Sequence, residues 1–152
     1  MIRDDIKAAL VTSMKSGDKA RTSAIRLIQS ALQNRDIELR TAAGAPGDDD
    51  VLVTEVLQKM IKQRRESIQL YEQGNRSELA DVERAEIAVI ESFLPAQMNE
   101  EDANAAIDSI VAETGAGSVK DMGRVMAAVK ERLAGRLDMS KASQLVKARL
   151  SA

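Results

Sequence analysis

The stretch Val119–Asp138, VKDMGRVMAAVKERLAGRLD, decides how this chain is read. Val119, Met122, Val125, Met126, Val129 and Leu133 recur at helical spacing, so one face is apolar. Lys120 and Arg124 lie one turn apart on the opposite face, with Lys130 and Arg132 on its flanks. Ser118 followed by Asp121 reads as a capping box that starts the helix. Gly135 ends it and leaves Arg136 in the turn. A helix that hides one side and shows cations on the other either docks something anionic or is simply solvated.

Charge is unevenly distributed around this helix. From Pro95 to Gly117 there are five acids (Glu100, Glu101, Asp102, Asp108, Glu113) and no base. From Ser118 onward eight bases (Lys120, Arg124, Lys130, Arg132, Arg136, Lys141, Lys147, Arg149) face three acids (Asp121, Glu131, Asp138), a surplus of five positive charges. The whole chain is at −2, so only the tail has a sign that attracts polyanions.

The 152 residues suit one domain or two small ones. Apolar residues make up 44%, with one Tyr, one Phe and no Trp, so any core is aliphatic. Abundant Ala, Leu, Lys, Glu and Arg with only two prolines favour helix, and no run of alternating β-branched residues asks for a strand. The expected fold is all-α. The absence of Cys and His removes disulfides, thiol nucleophiles, imidazole acid–base chemistry and the usual zinc sites. No cofactor or metal is expected. No apolar run approaches the ~20 residues that span a bilayer, so a cytoplasmic chain with no membrane partner is expected.

Upstream, Ile2, Ile6, Leu10 and Met14 predict a helix over 3–16, stopped by Gly17. Asp18 caps a second helix to about Arg40 whose inner face is Ala24, Leu27, Ile28, Ala31 and Leu32. Thr41–Gly47, TAAGAPG, breaks the pattern and reads as a flexible loop. Asp48, Asp49 and Asp50 read as first-turn capping acids rather than metal ligands, because consecutive residues do not converge once a helix begins. The third helix, Val51–Gln73, carries Val53, Val56, Leu57, Met60, Ile61, Ile68 and Tyr71. The fourth, Ser77–Leu94, carries Leu79, Val82, Ile90 and Phe93. Pro95 divides an N-terminal four-helix unit, 1–95, from a three-helix unit, 96–152. Asn99 caps the first helix of the second unit, and Met139–Leu150 is the last.

Charges also fall inside apolar stripes. Arg35 and Arg64 lie on inner faces of the second and third helices, and Glu83 and Glu86 on that of the fourth. Arg64 or Arg35 is therefore expected to pair with Glu83 or Glu86, since an unpaired buried charge is costly. In the run KQRR (Lys62–Arg65), Lys62 and Arg65 point away from the stripe and are read as a solvated face ahead of a phosphate contact. GAGSVKD places two glycines before a helix N-terminus but lacks the Gly-Lys-Ser/Thr ending of a P-loop, and is read as a loop with a cap.

RTSAIRLIQSAL, VLQKMIKQRRESIQLYEQGNRSELADVERAEIAVI, FLPAQM and DMGRVMAAVKERLAGRLDMSKASQLVKARL together resemble the YqeY family. The second unit is similar to the tail domain of GatB, a subunit of the tRNA-dependent amidotransferase. The resemblance implies an all-helical two-unit protein. It points to tRNA and an amidotransferase or other protein as partners. Lys120, Arg124, Lys130, Arg132, Arg136 and Lys141 become RNA-facing candidates. It carries over no catalytic residue, although glutamine-dependent carbon–nitrogen ligase activity follows from it as an alternative. A protein-interaction module, including a homodimer through an unburied apolar stripe, is the third reading.

Overall fold

The computed structural model describes residues 1–42, 47–133 and 135–151. Seven α-helices and one short 3-10 turn account for most of them: α1 (Ile2–Ser16), α2 (Lys19–Thr41), α3 (Asp49–Gln73), α4 (Ser77–Glu91), α5 (Glu100–Thr114), the turn Val119–Asp121, α6 (Met122–Leu133) and α7 (Met139–Ser151). There is no strand among the described residues. Residues 43–46 of the loop expected over Thr41–Gly47 lie outside the described residues. The chain forms two compact units, Met1–Leu94 and Pro95 onward.

In the first unit α1 and α2 form an antiparallel hairpin. Gly17 closes α1 at φ 74°, and the Asp18 carboxylate accepts the Arg21 N–H at 3.0 Å to start α2. Ile6, Ile25, Ile28, Leu32, Val53, Val56, Leu57, Met60, Ile61 and Ile90 make the core. Asp48 caps α3, accepting from the N–H groups of Asp50 and Val51 at 2.8 and 3.3 Å. The next two acids do something further. Asp50 accepts the Ile2 N–H at 2.9 Å, and Asp49 holds Arg3, whose other face grips Asp36. Arg3 thus braces α1 against α2 and against the first turn of α3.

Four expected core positions of the first unit are on the surface. Met14 is 55% exposed, and Ser13 is buried in its place, its hydroxyl accepting from Thr22 at 2.9 Å and donating to the Leu10 carbonyl. A spacing of four advances 400° per step, so a stripe of fours drifts about 40° each time and has left the core by its fourth member. Leu79 and Val82 of α4 are likewise exposed, because the inner face of that helix runs through Ala80, Glu83, Ile87 and Ile90. Leu27 is also 45% exposed.

The second unit packs α5, α6 and α7 around Ala103, Ile107, Ile110, Val111, Val125, Val129, Leu133, Leu137, Ala142, Val146 and Leu150. The Asn99 side chain accepts the Asp102 N–H at 2.7 Å, and Gly115 ends α5 at φ 67°. Residues just before α5 pin the turn between α6 and α7. The Gln97 amide donates to the Gly135 carbonyl at 2.6 Å, and the Met98 N–H to the Arg136 carbonyl at 2.8 Å. With its backbone held inward, Arg136 projects its side chain into solvent.

Candidate nucleic-acid interface

The expected helix from Val119 begins one turn late. Val119–Asp121 is a 3-10 turn, Val119 is exposed, and α6 proper opens at Met122. Asp121 sets this geometry. Its carboxylate accepts the Gly117 N–H at 3.0 Å and the Ser118 N–H at 3.4 Å. The N–H groups of the GAGS segment that could receive an external anion are therefore occupied by the chain's own carboxylate. Those bonds, the one from Gly117 foremost and with Arg124 nearby, hold the Asp121 carboxyl below its usual range.

From this start α6 presents two faces. Val125, Val129 and Leu133 are buried, while Arg124, Lys130 and Arg132 are exposed. The same division holds on α7, where Ala142, Val146 and Leu150 are buried and Lys141, Lys147 and Arg149 exposed. Lys120 and Arg136, in the turns, are exposed as well. All eight bases after Ser118 thus face solvent over an aliphatic interior.

They do not form an unbroken positive wall. Arg124 pairs with Asp121 at 3.2 Å and Arg132 with Glu113. Lys141 pairs with Glu100 at 3.9 Å and Arg149 with Asp108 at 2.7 Å. Three of these four carboxylates belong to α5, the acidic block that precedes the basic one in sequence. Both blocks are visible along the sequence, and it is folding into one small bundle that sets them side by side. Lys120, Arg136 and Lys147 have no ion-pair partner among the described residues. Lys147 and Arg149 were not among the RNA-facing candidates, although their exposure matches that of Lys141.

In the first unit Arg64 donates to Glu86 at 2.8 Å and lies 3.8 Å from Glu83, with its side chain 14% exposed. Arg35, expected as the alternative partner, instead pairs with Glu38 on its own helix at 3.1 Å. It lies beyond Leu32, the last buried residue of α2, so the face it continues has already left the core. Burial, aided by the neighbouring Glu86, pushes the Glu83 carboxyl up against the pull of Arg64. No group of three carboxylates able to hold a metal ion is found among the described residues. None of their helices is long and apolar enough to cross a membrane.

Comparison with known proteins gives a consistent kinship. An uncharacterised protein of Schizosaccharomyces pombe is 32% identical over 90 residues, which are 59% of this chain and 69% of that protein. Altered inheritance of mitochondria protein 41, mitochondrial, of Lachancea thermotolerans is 29% identical over 93 residues, 61% of this chain and 46% of that protein. Its namesake in Saccharomyces cerevisiae is 26% identical over 94 residues, again with 46% of its length covered. The chain thus spans less than half the length of the two mitochondrial proteins it matches. A family description, Yqey-like protein, matches residues 3–150. The all-helical chain belongs to the YqeY family.

Proposed function

We propose that the chain is a tRNA-associated accessory protein that binds the RNA backbone through the exposed bases of its second unit. The observation that carries this reading is the exposure of all eight cations after Ser118, three of them without a carboxylate partner among the described residues. Lys120, Arg136 and Lys147 supply the first contacts, and Arg124, Lys130, Arg132 and Lys141 extend them. Exposed ion pairs are worth only ~0–1 kcal/mol, so a phosphate can replace a carboxylate at little cost. The resemblance to the GatB tail read in the sequence of the second unit is what points to tRNA as the nucleic acid. Any amide transfer from glutamine is the work of a partner enzyme in this reading, and the setting is the cytoplasm. Base stacking is minor, because the only two aromatics, Tyr71 and Phe93, are half-buried in the first unit.

A gel-shift titration with bulk tRNA at several salt concentrations tests this. Wild type is expected to bind at low salt, with log K falling by roughly 0.9 per phosphate neutralised for each decade of salt. Lys120→Glu/Arg136→Glu weakens binding and reduces that slope by about two. Absence of binding at low salt, or an unchanged slope in the variant, removes the proposal. Ammonia release from glutamine by the purified chain favours the ligase reading instead.

A further inference from the structure

The first unit carries a surface that RNA binding does not use. Along α2, Lys19, Ser23, Arg26 and Leu27 share one exposed face. Along α4, Glu78, Asp81, Val82 and Ala85 share another, and Val82 is 56% exposed. Between them runs a groove of about 380 Å³ whose apolar lining is Ala20, Ala24, Val82, Ala85 and Val89. The two walls have opposite sign. From Lys19 to Arg26, α2 carries three bases and no acid, and Asp18, its N-cap, also lines the groove with its carboxylate accepting the Arg21 N–H. On α4 the exposed acids of this face are Glu78 and Asp81, the latter also paired with Arg84, while Glu83 and Glu86 are engaged by Arg64 and Glu91 by Arg65.

We infer that this face receives a second copy of the chain, with a two-fold axis along the groove that lays each copy's α4 over its partner's α2. A two-fold interface must be complementary to itself. This patch is so in charge, since the acidic wall of one copy meets the basic wall of the other. It is also so in shape, since Val82 projects beside Ala20, Ala24 and Ala85, which can receive its counterpart from the other copy. The opposite-signed walls set the register, and the alanines let the helices approach closely. A partner helix of a single sign would satisfy one wall and be repelled by the other.

Sedimentation of the full chain over a concentration series tests this separately from RNA binding, because every residue involved is in the first unit. Wild type is expected to be in monomer–dimer equilibrium. Lys19→Glu/Arg26→Glu sets acid against acid, and Glu78→Lys/Asp81→Lys sets base against base. Each variant alone is expected to be a monomer. An equal mixture of the two is expected to dimerise again, because each altered wall then meets its opposite. That recovery also shows that both variants are folded. Wild type remaining monomeric at all concentrations overturns the inference, as does either variant dimerising like wild type or a mixture that stays monomeric. A monomeric chain that binds another protein through this face, with binding lost in Val82→Lys, assigns the face to that partner and equally overturns it.

Discussion

The Arg64 guanidinium on α3 donates to Glu86 on α4 at 2.8 Å, while the neighbouring Glu83 lies 3.8 Å from the same nitrogen. One cation therefore serves two half-buried carboxylates unequally. Arg64→Met leaves both carboxylates facing each other without a partner and is expected to destabilise the first unit by about 2–3 kcal/mol. Glu86→Gln loses the direct pair and is expected to cost about 1–2 kcal/mol. Urea denaturation of each variant measures both.

Glu83 is expected to behave in the opposite sense. Its carboxyl is raised in the folded protein, first by burial and then by Glu86, so its ionised form opposes folding at neutral pH. Glu83→Gln is therefore neutral or stabilising at pH 7, by no more than about 1 kcal/mol. The advantage fades as pH falls through the raised pKa, where wild-type Glu83 takes up a proton and sheds its penalty. Melting both proteins at pH 7 and at mildly acidic pH checks the sign. A Glu83→Gln loss equal to that of Glu86→Gln would mean that the two carboxylates act alike.

Arg3 joins Asp36 at 3.0 Å and Asp49 at 2.9 Å, and its hydrogen bond holds the Asp49 carboxyl below its ordinary value. Arg3→Met is expected to cost about 1 kcal/mol at neutral pH, small because all three side chains are partly exposed. A depressed acid contributes stability above its unfolded pKa and loses it as pH falls through its folded pKa. The gap between wild type and Arg3→Met should thus close in acid, below the ordinary aspartate value of 3.8. Denaturation midpoints across that range measure it.

Asp121 sits where structure and proposed function meet. Asp121→Asn weakens the bonds from Gly117 and Ser118 that set the turn before α6, and it releases Arg124. Faster amide exchange at Gly117 and Ser118 is expected, together with tighter tRNA binding at low salt. Tighter binding without faster exchange would locate the effect in charge alone.

Gly17 holds φ 74° with open space around the missing Cβ. Gly17→Ala is therefore expected to cost about 1 kcal/mol through the backbone alone, with no clash to relieve. Thermal denaturation followed by helix signal provides the measurement.

Much of this architecture is readable from periodicity, and the exceptions share causes. Val53, Val56, Leu57, Met60 and Ile61 fall at i, i+3, i+4, i+7 and i+8, which keeps them in line with the core, and all five are buried. Met14 fails because a stripe of fours rotates away, and Ser13 replaces it with a hydroxyl satisfied by its own hairpin. Leu79 and Val82 look like core by residue type, yet the small Ala80 is the residue that lets α4 approach its neighbours. Apart from Arg64 with Glu86, whose place on facing apolar stripes announces the pair, the long-range partners are not legible. Nothing local links Arg3 to Asp49, or Arg149 to Asp108 41 residues away, because those pairs exist only after helices assemble. In the candidate interface, outward cations followed from helical spacing, whereas the carboxylates beside them required the bundle itself.

Each unit buries its own aliphatic interior, and the chain's single tyrosine, Tyr71, belongs to α3. With no tryptophan anywhere, intrinsic emission is a private reporter of the first bundle. Circular dichroism, by contrast, adds the helices of both. Subtracting one melting curve from the other therefore isolates the second bundle, with no dye, tag or truncation.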